Sequence, residues 1–194
     1  MEIKFLVENP ERNVFLWGFS GSGKTAIAME TVKIKVSHCK EKNKSVRVIV
    51  TTWSGWRYDK QLLTNIREYL KNIDVQILPL EELCADIPKC KWDIDRPKDT
   101  INAVIRSLST DKTSEVTIFV CDEVNLCRPD GQPTPDWTDL ATEDNVEWIL
   151  SMRPDTTCDQ TISIKPPTDP ERILERKLLH SHRNALLIRS VCIS

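Results

Sequence analysis

Residues 18–25 read Gly18-Phe19-Ser20-Gly21-Ser22-Gly23-Lys24-Thr25 and satisfy the pattern GxxxxGK[ST] in full. The apolar run Val14-Phe15-Leu16-Trp17 directly precedes them, as a buried parallel strand would. Directly after them, apolar residues between positions 28 and 36 recur at the spacing of one buried helical face. Because a strand, a glycine-rich loop and a helix follow one another, the segment predicts a loop that binds phosphate groups.

The chemistry of such a loop assigns a role to each residue type. Glycines let the backbone curl so that successive N–H groups and the helix N-terminus point at phosphate oxygens. Lys24 then reaches the β and γ phosphates, and Thr25 places its hydroxyl on Mg²⁺. The alternative is a flexible glycine turn before a helix. The predicted nucleotide-binding residues are Gly18, Ser20, Gly21, Ser22, Gly23, Lys24 and Thr25.

An acidic pair follows the strongest strand signal in the chain, the run from Val116 to Cys121. A strand ending there delivers Asp122 to the carboxyl edge of the sheet, where its carboxylate can hold the magnesium shell. Glu123 can orient and deprotonate an attacking water. The alternative is a pair of solvated acids at a strand end. We therefore predict Thr25 and Asp122 as metal residues, Glu123 as the catalytic base and Lys24 as a further catalytic residue.

The remaining periodicities alternate between strands and helices, which predicts an α/β fold: a three-layer sandwich with a mainly parallel sheet. Ligands of such sheets bind at the carboxyl ends of the strands, where both motifs fall. Residues 80–98 have no clear assignment. The other predicted elements are strands at 46–50, 74–78, 146–152 and 161–165, helices at 62–73 and from Asp99 or Thr100 as N-cap, a loop at 128–137, and a helical region after Pro170.

Composition predicts one globular domain over residues 1–194, with 40% apolar and 29% charged residues. A net charge of −2 supplies no overall basic field, so nucleic acid binding would need a local patch. Seven cysteines without a CxxC pair favour reduced, mostly buried thiols over disulfides or zinc.

The first ten residues carry no signal-peptide pattern, and no stretch approaches the about 20 apolar residues of a membrane span. We therefore expect an intracellular protein, cytoplasmic or nuclear, without a membrane partner. The absence of an Asn/Thr-Lys-x-Asp guanine motif favours ATP over GTP.

The Asp122-Glu123 pair, about a hundred residues after Lys24, resembles the DExx signature of superfamily 1 helicases and their relatives with RecA-like cores. Residues 51–53, Thr-Thr-Trp, are similar to the family motif that touches the single strand. Residues 179–185 are similar to its tyrosine-arginine-asparagine-serine segment, whose arginine contacts the γ phosphate. Residues 151–154 lie where the family has a glutamine motif, which this chain lacks.

This resemblance implies a RecA-like P-loop NTPase, the first RecA-like domain of a helicase-type ATPase, and a fragment of a longer protein. It implies Mg²⁺ and ATP as ligands, with single-stranded nucleic acid and a second RecA-like domain or subunit as partners. It also implies that Arg183 is catalytic, whereas a basic segment of this kind is also typical of a solvated helix face. Trp53 and Trp56 either stack on unpaired bases or pack inside the protein.

Two other functions fit the same motifs. One is a nucleotide-dependent signalling switch, a STAND-like ATPase that controls oligomerisation; a helical bundle after residue 147 would indicate it, whereas a continuing sheet favours the helicase type. The other is a small-molecule kinase, which would need an arginine-rich lid over the phosphates, and no such segment stands out.

Overall fold

A computed structural model describes residues 9–17, 23–53, 60–88, 90, 92–93, 96–125, 140–153 and 187–189. Strands and helices alternate along most of the chain, as the sequence predicts. In order, the elements are β1 (Val14–Trp17), α1 (Lys24–Glu41), β2 (Val46–Thr52), α2 (Lys60–Tyr69), β3 (Val75–Pro79), α3 (Leu80–Asp86), α4 (Pro97–Thr110), β4 (Val116–Asn125), β5 (Val146–Arg153) and β6 (Leu187–Arg189). None of these helices combines the length and the apolar character that crossing a membrane requires.

The six strands form one sheet in the order β3-β2-β4-β5-β1-β6. Strands β1 to β5 are parallel, and β6 pairs antiparallel with β1. The α/β fold with a mainly parallel sheet is therefore confirmed. Because the first five strands run in one direction, their carboxyl ends lie along the same edge of the sheet, with β5 between β1 and β4.

Helices cover both faces of this sheet. On one face Val48 and Val50 share a buried cluster with Val32 of α1 and Ile66 of α2. On the other face Ile49 shares a second cluster with residues of α3 and α4. Successive residues of β2 thus enter opposite cores, which explains the uninterrupted apolar run Val48-Ile49-Val50 at its centre. The arrangement is consistent with the predicted three layers.

Helix α4 begins earlier than the sequence predicts. Arg96 is its N-cap and Pro97 its first residue, so the prediction of Asp99 or Thr100 as N-cap was wrong. Proline suits the first helical position because its fixed φ is already helical and its missing N–H would have no partner inside the helix. Asp99 lies in the first turn instead, where a carboxylate interacts favourably with the helix N-terminus.

Two further segments add to the predictions or differ from them. The unassigned region contains the short helix α3, and residues 187–189 form a strand where a helical region was expected. Tyr69, the last residue of α2, is 44% exposed. Its hydroxyl donates to Glu30 Oε2 at 2.5 Å, and Lys33 Nζ lies 3.5 Å from its ring centroid. The predicted strand at 161–165 and loop at 128–137 lie outside the described residues.

A buried lysine ties three parts of the chain together. Lys35 of α1 is 1% exposed, and its Nζ donates to Glu147 Oε2 of β5 at 2.7 Å. It also donates to the carbonyl oxygens of Pro10 and Arg12, at 2.6 and 2.8 Å. Burial lowers the pKa of Lys35, and the neighbouring Glu147 carboxylate opposes that shift. The ammonium therefore depends on these partners to offset its loss of water.

The described cysteines are free thiols that differ in their environment. Cys39, Cys84 and Cys121 are buried, whereas Cys90 is half-buried. Burial raises the pKa of Cys121 to about 12, and burial and then a hydrogen bond with Cys90 raise the pKa of Cys84. Since the thiolate is the reactive form, these two thiols should react slowly at neutral pH for two reasons: they are buried, and their raised pKa values keep them protonated.

We expect iodoacetamide at pH 7.5 to modify Cys90 well before Cys39, Cys84 or Cys121. Peptide mass spectrometry over a time course measures the four rates. In guanidinium chloride the four rates should converge, because burial is lost. A native Cys121 that reacts as fast as Cys90 would contradict the buried position of β4.

Candidate functional site

The carboxyl edge of the sheet brings together the two motifs found in the sequence. Thr25, in the first turn of α1, donates its Oγ1–H to Asp122 Oδ2 of β4 at 2.6 Å, across 97 positions of sequence. Asp122 is fully buried, and Lys24 is 6% exposed. The threonine and the first acid, predicted separately as metal residues, are therefore direct neighbours.

Two features of the local sequence suit the N-terminus of α1 to binding an anion. Gly23 is its N-cap and has φ 85°, in the left-handed region that favours glycine. The first turn of α1 contains no acidic residue, so no carboxylate of that turn competes for its N–H groups. An exposed helix N-terminus favours anions because its N–H groups and dipole present positive charge.

Strand β4 does not end before the acidic pair but contains a bulge at it. Cys121 pairs with Leu150 and Val124 pairs with Met152, so Asp122 and Glu123 together oppose the single residue between those partners. Bulges re-aim side chains by interrupting the alternation of a strand. Glu123 has φ 54°, a left-handed conformation that costs a non-glycine residue about 1–2 kcal/mol.

The residue opposite this bulge is Ser151 of β5, which is fully buried. Its Oγ–H donates to Asp122 Oδ1, and the same oxygen accepts the backbone N–H of Glu123 at 3.0 Å. The Asp122 carboxylate thus receives one hydroxyl on each oxygen, from Thr25 and from Ser151. These hydrogen bonds offset the free energy that the Asp122 carboxylate loses when it is buried away from water.

Ser151 belongs to residues 151–154, which lie where the helicase family has its glutamine motif, but its link to both acids was not predicted from the sequence. One signal could have found it. In the run Val146-Glu147-Trp148-Ile149-Leu150-Ser151-Met152, the serine follows three apolar residues near the carboxyl end of a strand. A buried polar residue needs a hydrogen-bonding partner, and the neighbouring strands of the sheet are places to look for it.

Trp53 packs inside the protein, so the alternative of base stacking by this residue is not supported. It is 3% exposed, and its ring centroid lies 4.3 Å from that of Trp92. Its backbone N–H donates to the carbonyl oxygen of Asp122 at 3.0 Å. Thr51 and Thr52 are buried as well. Trp56 lies outside the described residues.

The described part of the site contains suitable magnesium ligands. A threonine hydroxyl and a carboxylate are the hard oxygen ligands that Mg²⁺ prefers, and Thr25 keeps its oxygen lone pairs while its O–H is donated to Asp122. Within the described ranges no three His, Cys, Asp or Glu side chains cluster as a metal site. A magnesium ion between one hydroxyl, one carboxylate and phosphates does not need such a cluster.

Several predicted site residues fall outside the described residues, and their roles stay predictions. They are Gly18, Ser20, Gly21, Ser22 and Arg183. The other five lie within the described ranges: Gly23, Lys24 and Thr25 at the N-terminal end of α1, and Asp122 and Glu123 in β4. Comparison of the chain with protein-family models, with curated proteins and with solved structures finds no match.

Proposed function

We propose that this chain binds ATP with Mg²⁺ and hydrolyses it, as an ATPase core that resembles the first RecA-like domain of superfamily 1 helicases. The observation that carries the proposal is the 2.6 Å hydrogen bond from Thr25 to Asp122. The two residues come from motifs recognised independently, a GxxxxGKT loop and an acidic pair after a strand. Their meeting at the carboxyl edge of the sheet is what a shared magnesium shell requires.

In this proposal each residue has one task. The loop amides and Lys24 hold the phosphates, and Thr25 and Asp122 hold the metal. Magnesium, when bound, neutralises charge that develops on the phosphate oxygens. Glu123 accepts the proton of a water whose oxygen attacks the γ phosphorus, while the bond to the bridging oxygen breaks and ADP leaves with its electron pair. Arg183 would stabilise the γ-phosphate charge.

One observation bears on each partner hypothesis. The sheet continues through β5 and β6, which supports the helicase-type core over a helical bundle. The burial of Trp53 removes one contact expected for single-stranded nucleic acid and so favours the alternative, a STAND-like switch that controls oligomerisation. Both hypotheses use the same nucleotide site. They differ in whether a nucleic acid strand or a second subunit responds to ATP.

We expect Lys24→Ala to weaken binding of Mg²⁺ and ATP by about tenfold to a hundredfold, since hydrogen bonds to charged groups contribute about 1.5–3 kcal/mol. Isothermal titration calorimetry measures the affinity. Lys40→Ala is the matched control, because Lys40 is an exposed lysine of the same helix. Equal affinity in the wild type and Lys24→Ala would reject the proposed phosphate site.

The wild type and Lys24→Ala also distinguish the two partner hypotheses, when each is tested with single-stranded nucleic acid and for a change of mass with ATP. Stimulation of ATP hydrolysis by single-stranded DNA or RNA supports the helicase-type core. A mass that rises with ATP, measured by light scattering, together with turnover that no strand alters, supports the switch.

A further inference from the structure

One residue outside both sequence motifs contacts both acids. Ser151 lies on β5, the strand between β1, which leads to the loop, and β4, which carries the acids. Its β1 neighbour in the pairing register is Leu16. Opposite it, Asp122 and Glu123 share one position of the ladder. Ser151 thus lies between the strand that precedes the loop and the strand that carries both acids.

We propose that Ser151 is a positioning residue that holds the Asp122 carboxylate against Thr25 and fixes the backbone conformation from which Glu123 projects; this inference rests on the proposed ATPase function. A serine hydroxyl has one donor and two acceptor lone pairs. Here the donor serves Asp122 Oδ1 and a lone pair serves the Glu123 N–H. One oxygen atom therefore couples the metal-holding acid to the backbone of the base.

The strained backbone at Glu123 makes this contact consequential. Its φ of 54° persists only where the surroundings impose it. Among the described residues, its N–H donates to Ser151 Oγ. An alanine at position 151 removes that acceptor and also one of the two hydroxyl groups that the described residues donate to the buried Asp122 carboxylate. Both acids then lose a restraint, although neither has been replaced.

A serine-to-alanine variant tests the inference. Ser151→Ala should lower kcat by about tenfold to a hundredfold and raise the Mg²⁺ concentration for half-maximal turnover by about tenfold, the range for lost hydrogen bonds to charged groups. ATP affinity in EDTA, measured by calorimetry, should stay within about twofold, whereas the gain in affinity on adding Mg²⁺ should shrink. Ser151→Thr keeps a hydroxyl and should restore most of both quantities.

The control is Ser109→Ala, because the Ser109 hydroxyl bonds to the Arg106 carbonyl of its own helix, α4. An active wild type with an unchanged Ser151→Ala overturns the inference and leaves the ATPase proposal standing. Equal losses in Ser151→Ala and Ser151→Thr, in step with the melting temperature, show a purely structural role and also overturn it. A wild type that neither binds nor hydrolyses ATP removes the proposed function itself.

Discussion

Replacing Glu123 with glutamine is expected to lower kcat for ATP hydrolysis by about 10² to 10⁴, the range for loss of a general base. An amide cannot accept the proton of the attacking water, but it has nearly the shape of the carboxylate. The left-handed backbone of residue 123 is held through its N–H by Ser151, so the substitution leaves that contact in place. Steady-state phosphate release measures kcat, and calorimetry should show ATP affinity close to that of the wild type.

Glu68→Gln is the matched control, since Glu68 is an exposed acid of α2 and should retain full activity. Hydrolysis that survives Glu123→Gln would exclude this carboxylate as the base. If ATP affinity falls while kcat is unchanged, Glu123 contributes to binding rather than to the chemical step.

The second large effect concerns stability. Lys35→Met is expected to reduce the free energy of unfolding by about 3 kcal/mol, the lower end of the range for a broken buried ion pair. The lower end applies because the Glu147 side chain keeps 15% exposure. The substitution leaves that carboxylate and the carbonyls of Pro10 and Arg12 without the ammonium. Urea denaturation measures the loss.

Lys40→Met, an exposed change on the same helix, should alter stability by less than about 0.5 kcal/mol. Adding Glu147→Leu to Lys35→Met should recover part of the loss, because no unpaired charge remains.

The pH dependence of this stabilisation has a definite sign. Burial lowers the pKa of Lys35, so the unfolded chain holds that proton more tightly, and wild type should gain stability over Lys35→Met as the pH rises from the lowered pKa towards 10.5. If Lys40→Met and Lys35→Met lower the free energy of unfolding equally, the burial of Lys35 is not the cause of the loss.

The parts of the fold that depend on local pattern could be predicted. Strands β1, β2 and β4 contain apolar runs, at 14–17, 48–50 and 118–121, because both faces of the sheet are covered. Helix α1 has its predicted face, with Ala28 and Val32 fully buried. The adjacency of Thr25 and Asp122 also follows from pattern, since both lie at carboxyl ends of parallel strands or just beyond them.

Features that depend on distant partners could not be predicted. The bulge at Asp122 and Glu123 arises from a register shift against β5, and nothing within β4 alone indicates it. The burial of Trp53 depends on Trp92, 39 positions away in the chain. Tyr69 has helical spacing but turns to Glu30 and Lys33 of α1. In each case a tertiary contact overrides a local preference.

The position of β5 between β1 and β4 also sets an order for folding. Within the described residues β1, the earliest strand in the chain, pairs with β5 and β6 alone, and its Val14 lies opposite Ile149. A growing polypeptide must therefore carry β1 without a neighbouring strand until residues near 149 have been synthesised. Pairings over such sequence distances form slowly. Thr25 and Asp122 can meet only after β5 lies between β1 and β4, so the nascent chain should form the proposed nucleotide site late, when the five parallel strands have come together.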